Sequence, residues 1–384
     1  MGETPSRALL PPGFSDTLPP HAGREAAAVS SILGHFAAHG FLQVKPPLVE
    51  FEETLFGGIG AAKRDQSFRV MDPVSHRMLA IRPDMTVQIA RMAASRLAST
   101  PRPLRLSYAG QVLRVTAGQV RPERQFTQLG AEIIGAEGRQ ADTHIIALAV
   151  QALERAGIEG VSVDLTLPGL VGVVLPDLAD PENRTGPLAN AIEGKDVGAV
   201  AELAGPAADL MIALIDSGGP AAEALDAVRK LDLPEQGRAL LDRLSETVEG
   251  LVTHLRDIVL TVDFVERRGF EYQTGVGFTL FARDLREELG RGGSYLAGLE
   301  FGNSEPATGV SLFMDSILRG LPETASDKKL LVPGDLSASD ADHLQAQGWT
   351  TVHLLDGSKP GPEAARQQLC SYYLVDGEFH QVEG

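Results

Sequence analysis

The stretch LRLSYAGQVLRVTAGQVRPERQFTQLGAEIIG, residues 104–135, decides how the rest of the chain is read. It divides into two strands, residues 104–115 and 124–134, joined by a loop rich in Gly, Gln and Arg. Side chains alternate along a strand, so Phe126, Gln128, Gly130 and Glu132 share one face while Leu129, Ala131 and Ile133 share the other. The second set is a plain core face. The first places an amide and a carboxylate on either side of Gly130, which leaves a floor open between them. Arg114 ends the first strand, and Arg121 and Arg124 flank the return. Such a face suits a small zwitterion with a polar side chain. It equally suits an edge hairpin whose polar face is solvated.

The 384 residues are enough to bury a sizeable core in two or three domains. A net charge of −17, with no Lys/Arg-rich block, argues against a nucleic-acid-binding surface. The lone Cys370 rules out an internal disulfide framework and a Cys-based zinc site, and suits a reducing compartment. No basic segment followed by an apolar one opens the chain, and no apolar run reaches the ~20 residues that span a bilayer. The expectation is a soluble, cytoplasmic protein. The scattered His21, His35, His39, His76 and His144 lack metal-ligand spacing and are expected at the surface or in the core.

Along the chain, a Pro-rich start gives way to a helix near His21 that Gly40 stops. A short strand at residues 41–45 ends at Pro46-Pro47, and residues 67–71 and 77–81 flank a turn, as in a hairpin. Arg82-Pro83-Asp84-Met85-Thr86 leads into a helix reaching about Ala98. Beyond the opening hairpin lie an amphipathic helix stopped by Gly157 and a strand at 161–167. Residues 170–255 turn rich in Ala, Leu, Glu and Asp and read as a helical insertion. Strands return at 258–264 and after Gly275, and Pro306 to Gly320 reads strand-to-helix. A tail of strand, helix, strand, helix and strand closes the chain. The expected divisions are a core at 1–169, the insertion at 170–255, the core resumed at 256–320, and a small α/β domain at 328–384.

This order resembles the core of a class II aminoacyl-tRNA synthetase, and the local wording resembles the histidyl-tRNA synthetase branch. The fold so implied is α+β, an antiparallel sheet flanked by helices. In that family the second hairpin strand carries Gln-Phe-x-Gln-Leu-Gly-x-Glu, matched by Gln125, Phe126, Gln128, Leu129, Gly130 and Glu132. A second pattern, Arg-Gly-Leu-Asp-Tyr-Tyr-Thr-Gly, is similar to Arg268-Gly269-Phe270-Glu271-Tyr272-Gln273-Thr274-Gly275. By resemblance a histidine seat falls to Asp84, Thr86, Arg114, Gln128, Glu132, Arg268, Tyr272 and Gln273. Asp84 and Thr86 would hold the amino group, Arg114 the carboxylate, and Gln128 and Glu132 the amino group and imidazole. Gln273 stands where the family has a tyrosine, so some loosening is expected.

The departures bear on function. Thr116 stands where the family has a glutamate, and Ser316 where it has an arginine of the last helix. Losing one cation from a partly desolvated phosphate site removes on the order of 1.5–3 kcal/mol. The Gly-Gly-Arg-Tyr-Asp-Gly pattern is reduced to Gly293-Ser294-Tyr295-Leu296, and the tail is shorter than an anticodon-binding domain. A synthetase core that keeps its histidine seat and loses its ATP and tRNA parts resembles the regulatory-subunit family of two-component ATP phosphoribosyltransferases. That resemblance implies no catalytic residues, no cofactor and no metal. It implies a short-form catalytic subunit as partner in a hetero-octamer, self-association as a dimer, L-histidine as feedback effector, and neither tRNA nor membrane as partner. Two rivals remain: a divergent histidyl-tRNA synthetase or histidine-adenylating enzyme, favoured by Arg268, and an assembly scaffold with a dead pocket, favoured by Gln273 and Asp84.

Overall fold

The two strands of the stretch 104–135 lie second and third from one edge of a nine-stranded sheet. The computed structural model describes residues 9–118, 121–179, 186–267, 273–298, 302, 304–323 and 328–382. They divide into a large unit, Met1–Leu321, and a small one, Pro322–Gly384. In chain order the strands of the large unit are β1 (Leu42–Gln43), β2 (Val49–Phe51), β3 (Arg69–Met71), β4 (Met78–Ile81), β5 (Leu104–Leu113) and β6 (Gln125–Ile134). There follow β7 (Val161–Thr166), β8 (Gly219–Pro220), β9 (Val259–Asp263), β10 (Gln273–Ala282), β11 (Gly290–Ala297) and β12 (Glu305–Phe313). The large sheet runs β1-β5-β6-β12-β11-β10-β7-β9-β8, and β2-β4-β3 form a separate three-stranded sheet.

The hairpin is not an edge. Strand β6 pairs antiparallel with β5 on one side and β12 on the other, and every residue from Phe126 to Ile134 is buried. One face carries Leu129, Ala131 and Ile133 against Ile32 and Phe36 of the helix His21–Ala38 and Ile145 and Leu148 of the helix Arg139–Ala156. Gly157 ends the latter helix in the left-handed region at φ +106°, where a side chain would be strained. The opposite face packs Tyr108, Phe126 and Ile134 against Met85, Ile89 and Tyr295.

Tertiary pairing trims the expected elements. Strand β1 has two residues rather than five, and the helix after Asp84 is Thr86–Ala94, ending short of Ala98. The insertion is not wholly helical, because Gly219–Pro220 pairs antiparallel with β9 at the edge of the large sheet. Its long helix, Glu235–His254, is pinned to the helix Arg139–Ala156 by an ion pair whose carboxylate is buried. Arg243 donates to both oxygens of Asp142, Nε to Oδ2 at 2.7 Å and Nη2 to Oδ1 at 3.0 Å. Ser294 Oγ on β11 donates to the same carboxylate at 2.6 Å, and Thr308 Oγ1 on β12 at 3.2 Å. Asp142 is 1% exposed, and its charge is offset by four donated hydrogen bonds.

The small unit comprises β13 (Lys329–Val332), β14 (Thr350–His353), β15 (Tyr372–Val375) and β16 (Glu378–Gln381), ordered β14-β13-β15-β16. Helices Ala338–Ala346 and Pro362–Gln367 supply the crossovers, the first capped by Ser337 Oγ, which accepts from Asp340 N at 3.1 Å. The last strand, β16, is an addition to the sequence reading. It returns from β15 through Asp376-Gly377, both at positive φ.

Candidate functional site

The polar face of β6 meets the start of the helix Thr86–Ala94. Register sets Gln128 opposite Phe313, Gly130 between Tyr108 and Ser311, and Glu132 between Leu106 and Gly309. Side chains from β6 therefore reach a cluster supplied by β5, β11, β12 and the loop at 84–86. Glycine at 309 is required here, because a Cβ would overlap the Glu132 carboxylate. Gly130 does not leave an open floor as expected from the alternation. The Tyr108 ring lies over it, in the place a Cβ would take, and is fully buried.

Glu132 is the centre of the cluster, 1% exposed. Tyr108 OH donates to its Oε1 at 3.2 Å and Tyr295 OH to its Oε2 at 3.0 Å. Burial disfavours the charged form and pushes its pKa up to about 8, against the pull of the two phenols. Tyr108 OH also lies 3.4 Å from Thr86 Oγ1 and 3.4 Å from Ser311 Oγ. Gln128 Nε2 donates to Ser311 Oγ at 2.8 Å and to Asp84 Oδ2 at 3.4 Å, while its Oε1 accepts from Met85 N at 3.0 Å. Asp84 Oδ1 accepts from Thr86 N at 2.8 Å. The Gln128 amide thus holds the loop that presents Asp84 and Thr86.

A small cavity opens on this cluster, lined by Thr86, Glu132, Gln273, Arg291, Tyr295 and Gly309 among others. Its void is about 10 Å³, the space of roughly one water. Gln273, on β10, lies across Gly293, whose φ of +153° and missing Cβ admit its amide. Its Oε1 is buried without a hydrogen-bond partner among the described residues. Glu132 and Gln273 therefore offer two acceptors to one void, an arrangement that favours a ligand with N–H donors.

A second polar group lies at the far end of the hairpin. The Arg114 guanidinium sits 4.9 Å from the Phe126 ring centroid. Its Nε has no hydrogen-bond partner among the described residues, and burial, helped by Arg121, lowers its pKa to about 10. Asp84 faces it and favours its charge. Arg121 is 8% exposed, its guanidinium 4.0 Å from the Phe313 ring and 5.1 Å from that of Phe126. Glu288 at 3.7 Å and Asp315 at 3.8 Å balance its charge. Arg121 thus stacks on Phe126 and Phe313, whose rings meet edge to face with centroids 6.0 Å apart. Ser316, beside Asp315, is buried and its Oγ has no hydrogen-bond partner among the described residues. Arg124 is committed to structure, donating to Arg114 O and Pro12 O and stacking on Phe14 and Phe68.

Of the expected site residues, Asp84, Thr86, Gln128, Glu132 and Gln273 converge, and Arg114 faces the same cluster. Arg268 and Tyr272 lie outside the described residues. Tyr108, Tyr295 and Ser311 were not foreseen in the site. A glycine paired across a hairpin with an aromatic was the available signal for Tyr108, because such rings cover the bare backbone. Tyr295 and Ser311 become visible only when β11 and β12 take their register. Among the described residues no group of three or more His, Cys, Asp or Glu is arranged to hold a metal ion. No described helix is long and apolar enough to cross a membrane.

This sheet, its flanking helices and the polar floor at β6 define a class II aminoacyl-tRNA synthetase-like protein. The family model described as histidyl-tRNA synthetase matches residues 13–317. A protein of Paramagnetospirillum magneticum named ATP phosphoribosyltransferase regulatory subunit is 48% identical over 383 residues, covering 100% of both chains. One of the same name from Rhodospirillum centenum is 45% identical, covering 99% of this chain and 98% of its own. Among solved structures, an ATP phosphoribosyltransferase regulatory subunit/histidyl-tRNA synthetase from Bacillus halodurans superposes with a TM-score of 0.79 at 26% identity, covering 97% of this chain and 98% of the other. The chain belongs to the histidyl-tRNA synthetase-like family and, within it, to the ATP phosphoribosyltransferase regulatory subunits.

Proposed function

We propose that the chain is a non-catalytic regulatory subunit that binds L-histidine at the Glu132 site. It assembles with a short-form ATP phosphoribosyltransferase catalytic subunit, which needs it for activity and through it is inhibited by histidine. The assembly is a hetero-octamer containing dimers of this chain, and tRNA has no part in it. The observation that carries this reading is Glu132, buried and held by two tyrosine hydroxyls beside the unpartnered Gln273 Oε1. An imidazolium has an N–H for each acceptor, the second supplied by the Glu132 proton, and the charge-assisted pair that results offsets the uphill transfer. Arg114, whose Nε has no hydrogen-bond partner among the described residues and whose charge Asp84 favours, suits the ligand carboxylate. The void has room for about one water, so the site must open to admit histidine. Linkage then follows, because a ligand that prefers one state of the complex shifts the complex toward it. The serine at 316, where the synthetase family has an arginine, supports the absence of adenylation.

The test is to purify the short catalytic subunit with and without this chain and assay phosphoribosyl transfer against histidine concentration. The expected result is activity only in the mixture, abolished by histidine. In mixtures made with Glu132→Ala, activity persists and histidine sensitivity is lost. A catalytic subunit fully active and histidine-sensitive by itself would overturn the reading.

A further inference from the structure

The small unit, taken by itself, has the layout of a ligand-binding sheet. Strands β13, β14 and β15 run parallel in the order β14-β13-β15. Leu344 of the helix Ala338–Ala346 packs with Leu330 and Val332 on one face, and Ala365 of the helix Pro362–Gln367 packs with Leu331 on the other. The chain leaving β13 therefore turns to one face and the chain leaving β14 to the opposite one. Loops that part in this way leave a crevice beyond the carboxyl ends of the strands, where open α/β sheets hold their ligands. A cavity of about 650 Å³ lies there, a size found in small-molecule sites. All three strand ends line it, with Asp335 after β13, Leu354, Leu355 and Lys359 after β14, and Asp376 after β15. Gly334 lets the first two loops touch, since a Cβ there would overlap Leu354 O. Leu355 is 91% exposed, more than any other large hydrophobic among the described residues. Across the mouth, Lys359 Nζ stands 3.9 Å from Asp376 Oδ1, a loose pair whose side chains are 84% and 82% exposed.

We infer that this crevice is a second ligand site, one for a free α-amino acid with an apolar side chain. The ammonium goes to the Asp335 and Asp376 carboxylates and the carboxylate to Lys359, so the two ends of one ligand serve both members of the loose pair. Leu355, with Leu354 and Pro360, covers the ligand's side chain and is itself taken out of water. The charges of the wall turn away the nucleotides that such sheets often bind. Two carboxylates outweigh one ammonium against a phosphate, and none of the three loops is a glycine-rich phosphate cradle. A ligand with a single charge leaves either Lys359 or the aspartates unserved.

The experiment is calorimetric titration of the full chain with L-leucine and L-phenylalanine. Isoamylamine, isocaproate and adenosine serve as separate arms, the first two being leucine without its carboxylate and without its amine. At least one of the amino acids should bind once per chain, more tightly than any of the three other probes. Lys359→Ala and Asp376→Asn alter exposed side chains, and asparagine tolerates the positive φ at 376. Each should weaken amino-acid binding about fivefold, the upper end for a solvent-facing ion pair. Lys359→Ala should leave isoamylamine binding unchanged, and Asp376→Asn should weaken it. Glu132→Ala should leave leucine and phenylalanine binding as it is, which separates this crevice from the Glu132 site. No binding of either amino acid, or binding indifferent to both Lys359→Ala and Asp376→Asn, overturns the inference. So does binding lost in Glu132→Ala, or adenosine binding more tightly than both amino acids.

Discussion

Glu132 holds its proton up to about pH 8 because the cluster removes it from water, and free imidazole holds one up to about pH 6.5. In the proposed histidine complex these two values set how affinity depends on pH. Between them the ligand arrives neutral and Glu132 arrives protonated, so the ion pair forms by moving a proton within the site. Below about pH 6.5 the complex must release a proton, and affinity falls as pH falls. Above about pH 8 it must take one up, and affinity falls as pH rises. Calorimetry across pH 5 to 9 should trace a plateau bounded on both sides, and Glu132→Gln should erase the alkaline limb. Gly309→Ala places a methyl in the volume of the Glu132 carboxylate and should abolish histidine binding while the far-ultraviolet circular dichroism is retained. At this scale the sequence was informative about β6, because strand alternation alone puts Gln128 and Glu132 on one face. It could not show that the Gln128 amide also bonds Met85 N, Asp84 and Ser311, partners that only tertiary pairing supplies.

Elements are joined by polar groups whose loss is costly. Arg243→Met would leave the Asp142 carboxylate buried without its cation, and urea unfolding should show a loss of about 3 kcal/mol. The exposed pair Arg229–Asp226 gives the contrast, since Arg229→Ala should change stability by no more than about 0.5 kcal/mol. The first helix carries an acid limit of its own. Burial, then His39 and Arg155, lower the His35 pKa from 6.5 to about 4. Its contribution to stability is therefore present above about pH 6.5 and lost as pH falls toward 4. Thermal melts over that range should show a shallower acid limb in His35→Phe. Elements were legible where local chemistry marked them, as at Gly157 and Ser337. Strand β16 was marked too, by Asp376-Gly377, a strong hairpin signal, and was overlooked because the tail was read as alternating α/β to its end. Strand β8 had no such mark, since a Gly-Pro pair becomes a strand only against β9.

For the molecule as a whole, the ligand site and the core share one sheet, so occupancy of the first should stabilise the second. Histidine at a hundred times its dissociation constant should add about 2.7 kcal/mol to the unfolding free energy, read as a raised melting temperature and absent in Glu132→Ala. The architecture was legible because two long patterns, far apart and in order, fit one family, whereas no composition or periodicity indicated that Arg121 stacks on Phe126 and Phe313. That site also depends on alignment between distant parts of the chain. Glu132 faces Gly309 and Gly130 faces Ser311 only when β6 and β12 are paired in one register, and a slip of a single residue turns every side chain of β12 to the other face. These strands are separated by the entire insertion and four other strands, so their union is among the longest-range events in folding. Histidine, the effector we propose, would consequently be a clock as well. During refolding, its binding should recover only when β12 docks, later than helix content, and so time the closing of the sheet.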